Sequence, residues 1–283
     1  MAQYRSETWH ISGFGYLRPR KVTSARDETI CELATLILMS QAVRIFVALV
    51  VLLIPAFAQD AAPRPVVVEL FTSEGCSSCP PADALLVKLS QQRAQNGIDL
   101  ILLGEHVDYW NYLGWTDRFS SSQFSHRQSN YAKAFHTSGP YTPQMVIDGR
   151  AQFVGNDTER AHQEIAQLSK QPEPAKVSLQ WEGNNRLHVS VQSPDRGKVL
   201  LAITEDGLST QVGSGENGGT TLHHAAVVRQ LRELGSVDKG KFDSQVDIAG
   251  QPDWNPTQLK VIVLAQDPET LHILGAGSVP YKH

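Results

Sequence analysis

Apolar and polar positions divide the chain beyond residue 65 into two regimes. In the first, short apolar runs alternate with stretches of helical period. Val66-Val67-Val68-Glu69-Leu70-Phe71 and Ile98-Asp99-Leu100-Ile101-Leu102-Leu103-Gly104 read as buried strands. Between them, Leu85, Leu86 and Leu89 share one face of a helix that runs to about Gln95 and is closed by Asn96-Gly97. Strand, helix and strand in this order predict a parallel βαβ unit. A long aromatic-rich crossover over 105–140 follows, with a helix expected across 121–135. Residues 145–149 and 151–155 then form a hairpin around an Asp-Gly turn, and a helix is expected over 157–170.

Beyond Pro172-Glu173-Pro174 the period changes to two. Val177, Leu179 and Trp181 alternate with polar residues, as do Leu187, Val189 and Val191. Further strands are expected in 199–203, 222–234, 242–248, 259–265 and 271–275, with a flexible glycine-rich loop at 213–219. About seven short strands in this half predict a β-sandwich. The expected architecture is therefore an α/β domain over 66–172 followed by an all-β, sandwich-like domain over 175–283.

The start of the chain follows another logic. An apolar run at 45–54 is preceded by Arg44 and followed by Pro55-Ala56-Phe57-Ala58, the layout of a cleavable signal peptide. With Met39 as the natural start, residues 39–58 form that peptide, 59–65 a linker, and 1–38 an over-extended start or a genuine extended leader. The run is shorter than the roughly 20 residues of a membrane span, so no stable span is expected after cleavage. The expected location is secreted or periplasmic. Cys31 would leave with the leader, and the exported chain would keep Cys76 and Cys79.

Composition narrows the choice of partners. The 283 residues are 41% hydrophobic and 19% charged, with net charge -4 and no basic run, so nucleic acid is not an expected partner. Three cysteines are too few for a disulfide-dense scaffold.

The chemistry concentrates in Gly75-Cys76-Ser77-Ser78-Cys79-Pro80-Pro81, at the joint between the first strand and the first helix. Two prolines suit a helix's first turn, where a missing N–H costs least. Both sulfurs then sit at a helix N-terminus, whose unpaired N–H groups favour thiolate. A structural disulfide and half of a zinc site are the other readings of this spacing. The small loop removes little unfolded-chain entropy. Zinc would need two further ligands, and no second cysteine pair exists. No cofactor and no resident metal is expected. Beside the motif, His106 and Asp108 could tune the thiols or bind a metal with them, or form a simple loop pair. Trp110, Tyr112 and Trp115 could line a groove or fill a core. His223 and His224 point to opposite faces of a strand, which disfavours a shared ion.

With the strand, the dithiol helix, the second strand, Thr142-Pro143 and the closing hairpin in order, residues 66–170 resemble the thioredoxin-like superfamily. Leu70-Phe71-Thr72-Ser73-Glu74-Gly75-Cys76, the segment His106-Val107-Asp108-Tyr109-Trp110, Tyr141-Thr142-Pro143-Gln144 and Gly215-Glu216-Asn217-Gly218 are closer still to an uncharacterised secreted bacterial family known as a domain of unknown function. The superfamily resemblance implies that Cys76 attacks a disulfide and Cys79 resolves the intermediate. It further implies that Pro143 is a cis-proline facing the dithiol, with Thr142 and Trp110 on the substrate side. Glu69 would be the buried proton acceptor or else an ordinary half-exposed strand residue, since it stands one residue further from the first cysteine than that acid usually does. An odd shift can change a side chain's face. The expected function is thiol–disulfide exchange on protein or small-molecule disulfides, with an unknown redox partner. The alternative is an extracytoplasmic copper- or partner-binding protein without turnover.

Overall fold

The computed structural model describes residues 64–92, 98–237 and 240–282. These belong to one compact unit, Asp60–His283. The leader expected over 1–58, most of the linker and the Asn96-Gly97 helix stop lie outside the described residues.

Strand β1 (Val66–Thr72) is buried along its whole length. Its crossover helix α1 (Pro80–Gln91) leads to β2 (Leu100–His106), which pairs with β1 in parallel from Val66↔Leu100 to Thr72↔His106. Helix α2 (Ser122–Ala134) is capped by Ser121, whose hydroxyl accepts from the Gln123 N–H. The hairpin β3 (Gln144–Ile147) and β4 (Ala151–Val154) pairs antiparallel to β1, and α3 (Thr158–Leu168) is capped by Asp157. Both faces of β1 are covered, which explains its continuous apolar run. Val66, Val68 and Leu70 pack with Leu85, Leu86 and Leu89 of α1 and Ile165 and Leu168 of α3. Val67 and Phe71 pack on the other face with Phe124 and Tyr131 of α2.

The second half contributes β5 (Lys176–Trp181), β6 (Arg186–Gln192), β7 (Gly197–Glu205), β8 (Leu208–Gln211), β9 (Thr221–His224), β10 (Val227–Val237), β11 (Lys241–Asp247), β12 (Leu259–Gln266) and β13 (Ile273–Pro280). Four of these extend the first sheet, giving the eight-stranded order β13-β12-β7-β10-β2-β1-β3-β4. β11-β6-β5 forms a separate three-stranded sheet, and β8-β9 a two-stranded ribbon.

The expected architecture, a thioredoxin-like α/β domain followed by a separate β-sandwich, is therefore corrected. One mixed sheet runs through both halves, and the described residues hold only three α-helices. The junction explains how. β10 meets β2 in parallel at Val227↔Gly104, and the Gly104 N–H donates to the Ala226 carbonyl at 2.7 Å. A Cβ on Gly104 would stand 3.1 Å from the Ala225 carbonyl oxygen, so any larger residue needs that backbone to give by a few tenths of an ångström. The period-two pattern of β5 and β6 has a local cause. Leu187, Val189 and Val191 pack on Val199, Leu201, Ile203, Val261 and Val263 of the large sheet.

Among the described residues no helix is long and apolar enough to cross a membrane.

Candidate functional site

Cys76 and Cys79 form a disulfide on the turn between β1 and α1. Cys79 occupies the helix N-cap, and Pro80 and Pro81 fill its first turn. Both cysteines are 0% exposed, while Ser77 and Ser78 between them face solvent. The Ser78 hydroxyl lies 3.3 Å from Cys76 Sγ.

Several side chains named from the sequence converge on this turn. The Thr142–Pro143 peptide is cis. Thr142 donates its hydroxyl to Cys76 Sγ at 3.4 Å and accepts from the Trp110 indole N–H at 2.8 Å. A Cβ at Gly155 would meet Pro143 and Ala82 of α1 together, which places Pro143 against the dithiol helix. Gly75 lets Trp110 approach closely, since a Cβ there would stand 3.2 Å from that of Trp110.

Glu69 does not join them. It shares a strand face with Val67 and Phe71, opposite the face that carries α1, as the one-residue offset allows. There Arg127 Nε donates to it at 2.6 Å, and the Tyr131 hydroxyl donates as well. Glu105 lies on the same face, 3.3 Å from Arg127 Nε. Burial pushes its carboxyl well above the usual range despite that guanidinium.

Beneath the dithiol lies a buried cluster of acids and histidines. Asp83 stands four residues after Cys79, one turn along the same helix face, and its N–H donates to the Cys79 carbonyl at 3.1 Å. It is 5% exposed, and no hydrogen bond reaches its Oδ2 among the described residues. Burial pushes the Asp83 carboxyl up to about 6, against the pull of His224 and His106. His106 holds Asp117 at 2.6 Å rather than Asp108, which instead accepts from Ser125. Burial opposes charging of both partners, yet Asp117 raises His106 and His106 lowers Asp117. The rings of His106 and His224 pack edge to face with centroids 4.9 Å apart. His224 Nε2 lies 3.3 Å from Glu74 Oε1, without hydrogen-bond alignment. Trp115 donates to the other Glu74 oxygen at 2.8 Å. Burial raises Glu74, but His224, Thr210 and Trp115 bring it below its ordinary value. Among the described residues no group of three or more His, Cys, Asp or Glu side chains is disposed to hold a metal ion.

The remaining part of the site comes from the far half of the chain. The 213–219 loop leaves β8 and returns to β9, which packs on α1. Asn217 donates to the carbonyls of Glu74 at 2.9 Å and Cys76 at 3.0 Å. Glu216 accepts from the Ser77 N–H at 3.1 Å. Gly213 and Gly215 lie against Trp115, where a Cβ would stand 3.2 and 3.1 Å from that side chain. Asp83, Asp117, Glu216, Asn217 and His224 were not identified from the sequence as parts of the site. The glycine-rich loop was the available signal, but nothing local said where it folds back.

Fold and site together define a protein with its dithiol turn set in a mixed eight-stranded sheet and capped by a distant loop. The chain belongs to the family described as Protein of unknown function (DUF1223), which matches residues 67–266. It is similar to the crystal structure of a structural-genomics protein from Agrobacterium tumefaciens, at 27% identity and a TM-score of 0.61. That match covers 77% of this chain and 95% of the other. A domain of the outer membrane lipoprotein Omp28 from Porphyromonas gingivalis aligns at 10% identity and a TM-score of 0.24, over 38% of this chain and 86% of that one. At that score the likeness carries no argument. No curated protein matches the chain.

Proposed function

We propose that this protein catalyses thiol–disulfide exchange through Cys76 and Cys79, on protein or small-molecule disulfides outside the cytoplasm. The observation that carries the reading is the disulfide on a helix N-terminal turn, with the Thr142 hydroxyl on Cys76 Sγ and the buried Asp83 carboxyl one turn beyond Cys79. Such a turn stabilises a thiolate, and a carboxyl near 6 accepts a proton near neutral pH.

In the reducing direction, the Cys76 thiolate attacks one sulfur of the substrate disulfide and expels the first thiolate, which takes a proton from water. A mixed disulfide with Cys76 results. Cys79 then gives its proton to Asp83 and attacks the Cys76 sulfur, expelling the second substrate thiolate. The dithiol is oxidised by two electrons, and the substrate disulfide is reduced to two thiols. Asp83 thus takes the role expected of Glu69, which is bound to Arg127 on the other face of the sheet. Tyr112, 81% exposed on the crossover beside Trp110, supplies an apolar contact for an approaching chain. An extracytoplasmic location is part of the same proposal, since a disulfide persists where the surroundings are oxidising.

The test is turnover of a small disulfide by the purified protein under a thiol reductant. Activity that disappears in Cys76→Ser supports the reading; wild-type protein without turnover on any disulfide contradicts it.

A further inference from the structure

On the sheet face away from the dithiol, α2 stands apart from β7, β10 and β12 to leave a cavity of about 1030 Å³. That is at the upper end of small-ligand sites, which hold roughly 300–1,000 Å³. The chain as a whole is acidic, at -4, but this cavity is lined by five Lys and Arg side chains and three histidines against two glutamates. A basic concavity in an acidic chain focuses field onto anions.

The lining cations divide into two groups. Arg127 is held by Glu69 at 2.6 Å, Lys198 by Glu233 at 2.9 Å, and Arg232 donates to the Asp247 carbonyl at 3.2 Å. Lys133 and Arg150 differ. Among the described residues neither side chain has an ion pair or a hydrogen bond, and Asp148, in the same turn as Arg150, is already bound by Arg64 at 2.6 Å. The Arg150 wall is well anchored. The Ile273 N–H donates to the Asp148 carbonyl at 2.9 Å, and Gly149, at φ 63, lies so close to the Leu271 backbone that a side chain has no room. His272 stands beside Arg150; burial and then that guanidinium lower its pKa. Leu200, Leu231 and Leu271 supply an apolar floor.

We infer that this cavity binds a small polyanion, with two or more carboxylate or phosphate groups engaged by Lys133 and Arg150. The inference is independent of the redox reading, because the cavity and the dithiol lie on opposite faces of the sheet.

Calorimetric titration of the full chain tests it, with pyrophosphate and tricarballylate as probes and acetate as control. Saturable binding of at least one polyanion is expected, weakening steeply with salt. Affinity should fall about tenfold or more in the Lys133→Ala/Arg150→Ala double variant, at unchanged melting temperature. Binding of pyrophosphate alone identifies phosphate as the recognised group, and of tricarballylate alone identifies carboxylate. No saturable binding, equal binding of acetate, or undiminished affinity in the double variant overturns the inference.

Discussion

Asn217 donates its side-chain amide to the carbonyl of Cys76 at 3.0 Å, although 141 residues separate the two in sequence. The same amide reaches the Glu74 carbonyl, so one buried side chain fixes the dithiol turn at two points. The turn and the glycine loop are thus one structural unit.

Asn217→Ala leaves the Glu74 carbonyl without its donor and the Cys76 carbonyl with the Cys79 N–H alone, which costs about 1–3 kcal/mol. A lower denaturation midpoint is expected, together with faster reduction of the Cys76–Cys79 disulfide by a small thiol, because the loop no longer seals the buried sulfurs. Reduction at the wild-type rate would show that the loop does not control access.

Asp83 carries a folded-state pKa of about 6, above its ordinary value of 3.8. A raised acid favours the protonated fold, so its contribution to stability is present below pH 4 and lost as pH rises through 6. Asp83→Asn should therefore match wild type in acid and be more stable by about 1–3 kcal/mol at pH 7. The same variant should resolve mixed disulfides about tenfold or more slowly. Urea titrations across pH and quenched-flow trapping measure the two effects; a variant less stable than wild type at pH 7 contradicts the assignment.

Gly104→Ala forces a Cβ to within 3.1 Å of the Ala225 carbonyl, where backbone rather than a side-chain tip must move. A loss of about 1–3 kcal/mol in a single cooperative unfolding transition is expected. An unchanged midpoint would argue against the join between β2 and β10.

The redox potential follows from what surrounds the helix N-terminus. Ser77-Ser78 brings no cationic side chain to the sulfurs, and the exposed Glu216 carboxylate occupies the Ser77 N–H. Both features disfavour a strongly stabilised Cys76 thiolate. A potential more negative than about -180 mV is expected from equilibration against glutathione. A value near that of the strongly oxidising periplasmic proteins would contradict it.

Much of the first half was legible in the sequence. The runs at Val66 and Leu100 are short, rich in β-branched and aliphatic residues and buried on both faces, as strands of a covered sheet are; Cys76, Cys79, Thr142, Pro143 and Trp110 do meet. Period-two alternation in β5 and β6 revealed which side chains point inward, but not which sheet each strand of this half would join. β10 enters the large sheet beside β2 through one bridge at Gly104, a contact with no local signature. Glu69 stands on the strand face opposite α1 because register decides the face, and a single residue reverses it. Nothing in the sequence singles out Asp83, an acid in a helix's first turn; only the packing of β9 over α1 shows it buried beside His224.

Trapping the exchange intermediate tests the central claim most directly. Reduced Cys79→Ser protein is mixed with a disulfide-bonded peptide, and the products are resolved by mass. The account predicts a stable mixed disulfide on Cys76, absent from Cys76→Ser and short-lived in wild type. Equal labelling of either cysteine, or no adduct with any disulfide, would contradict it.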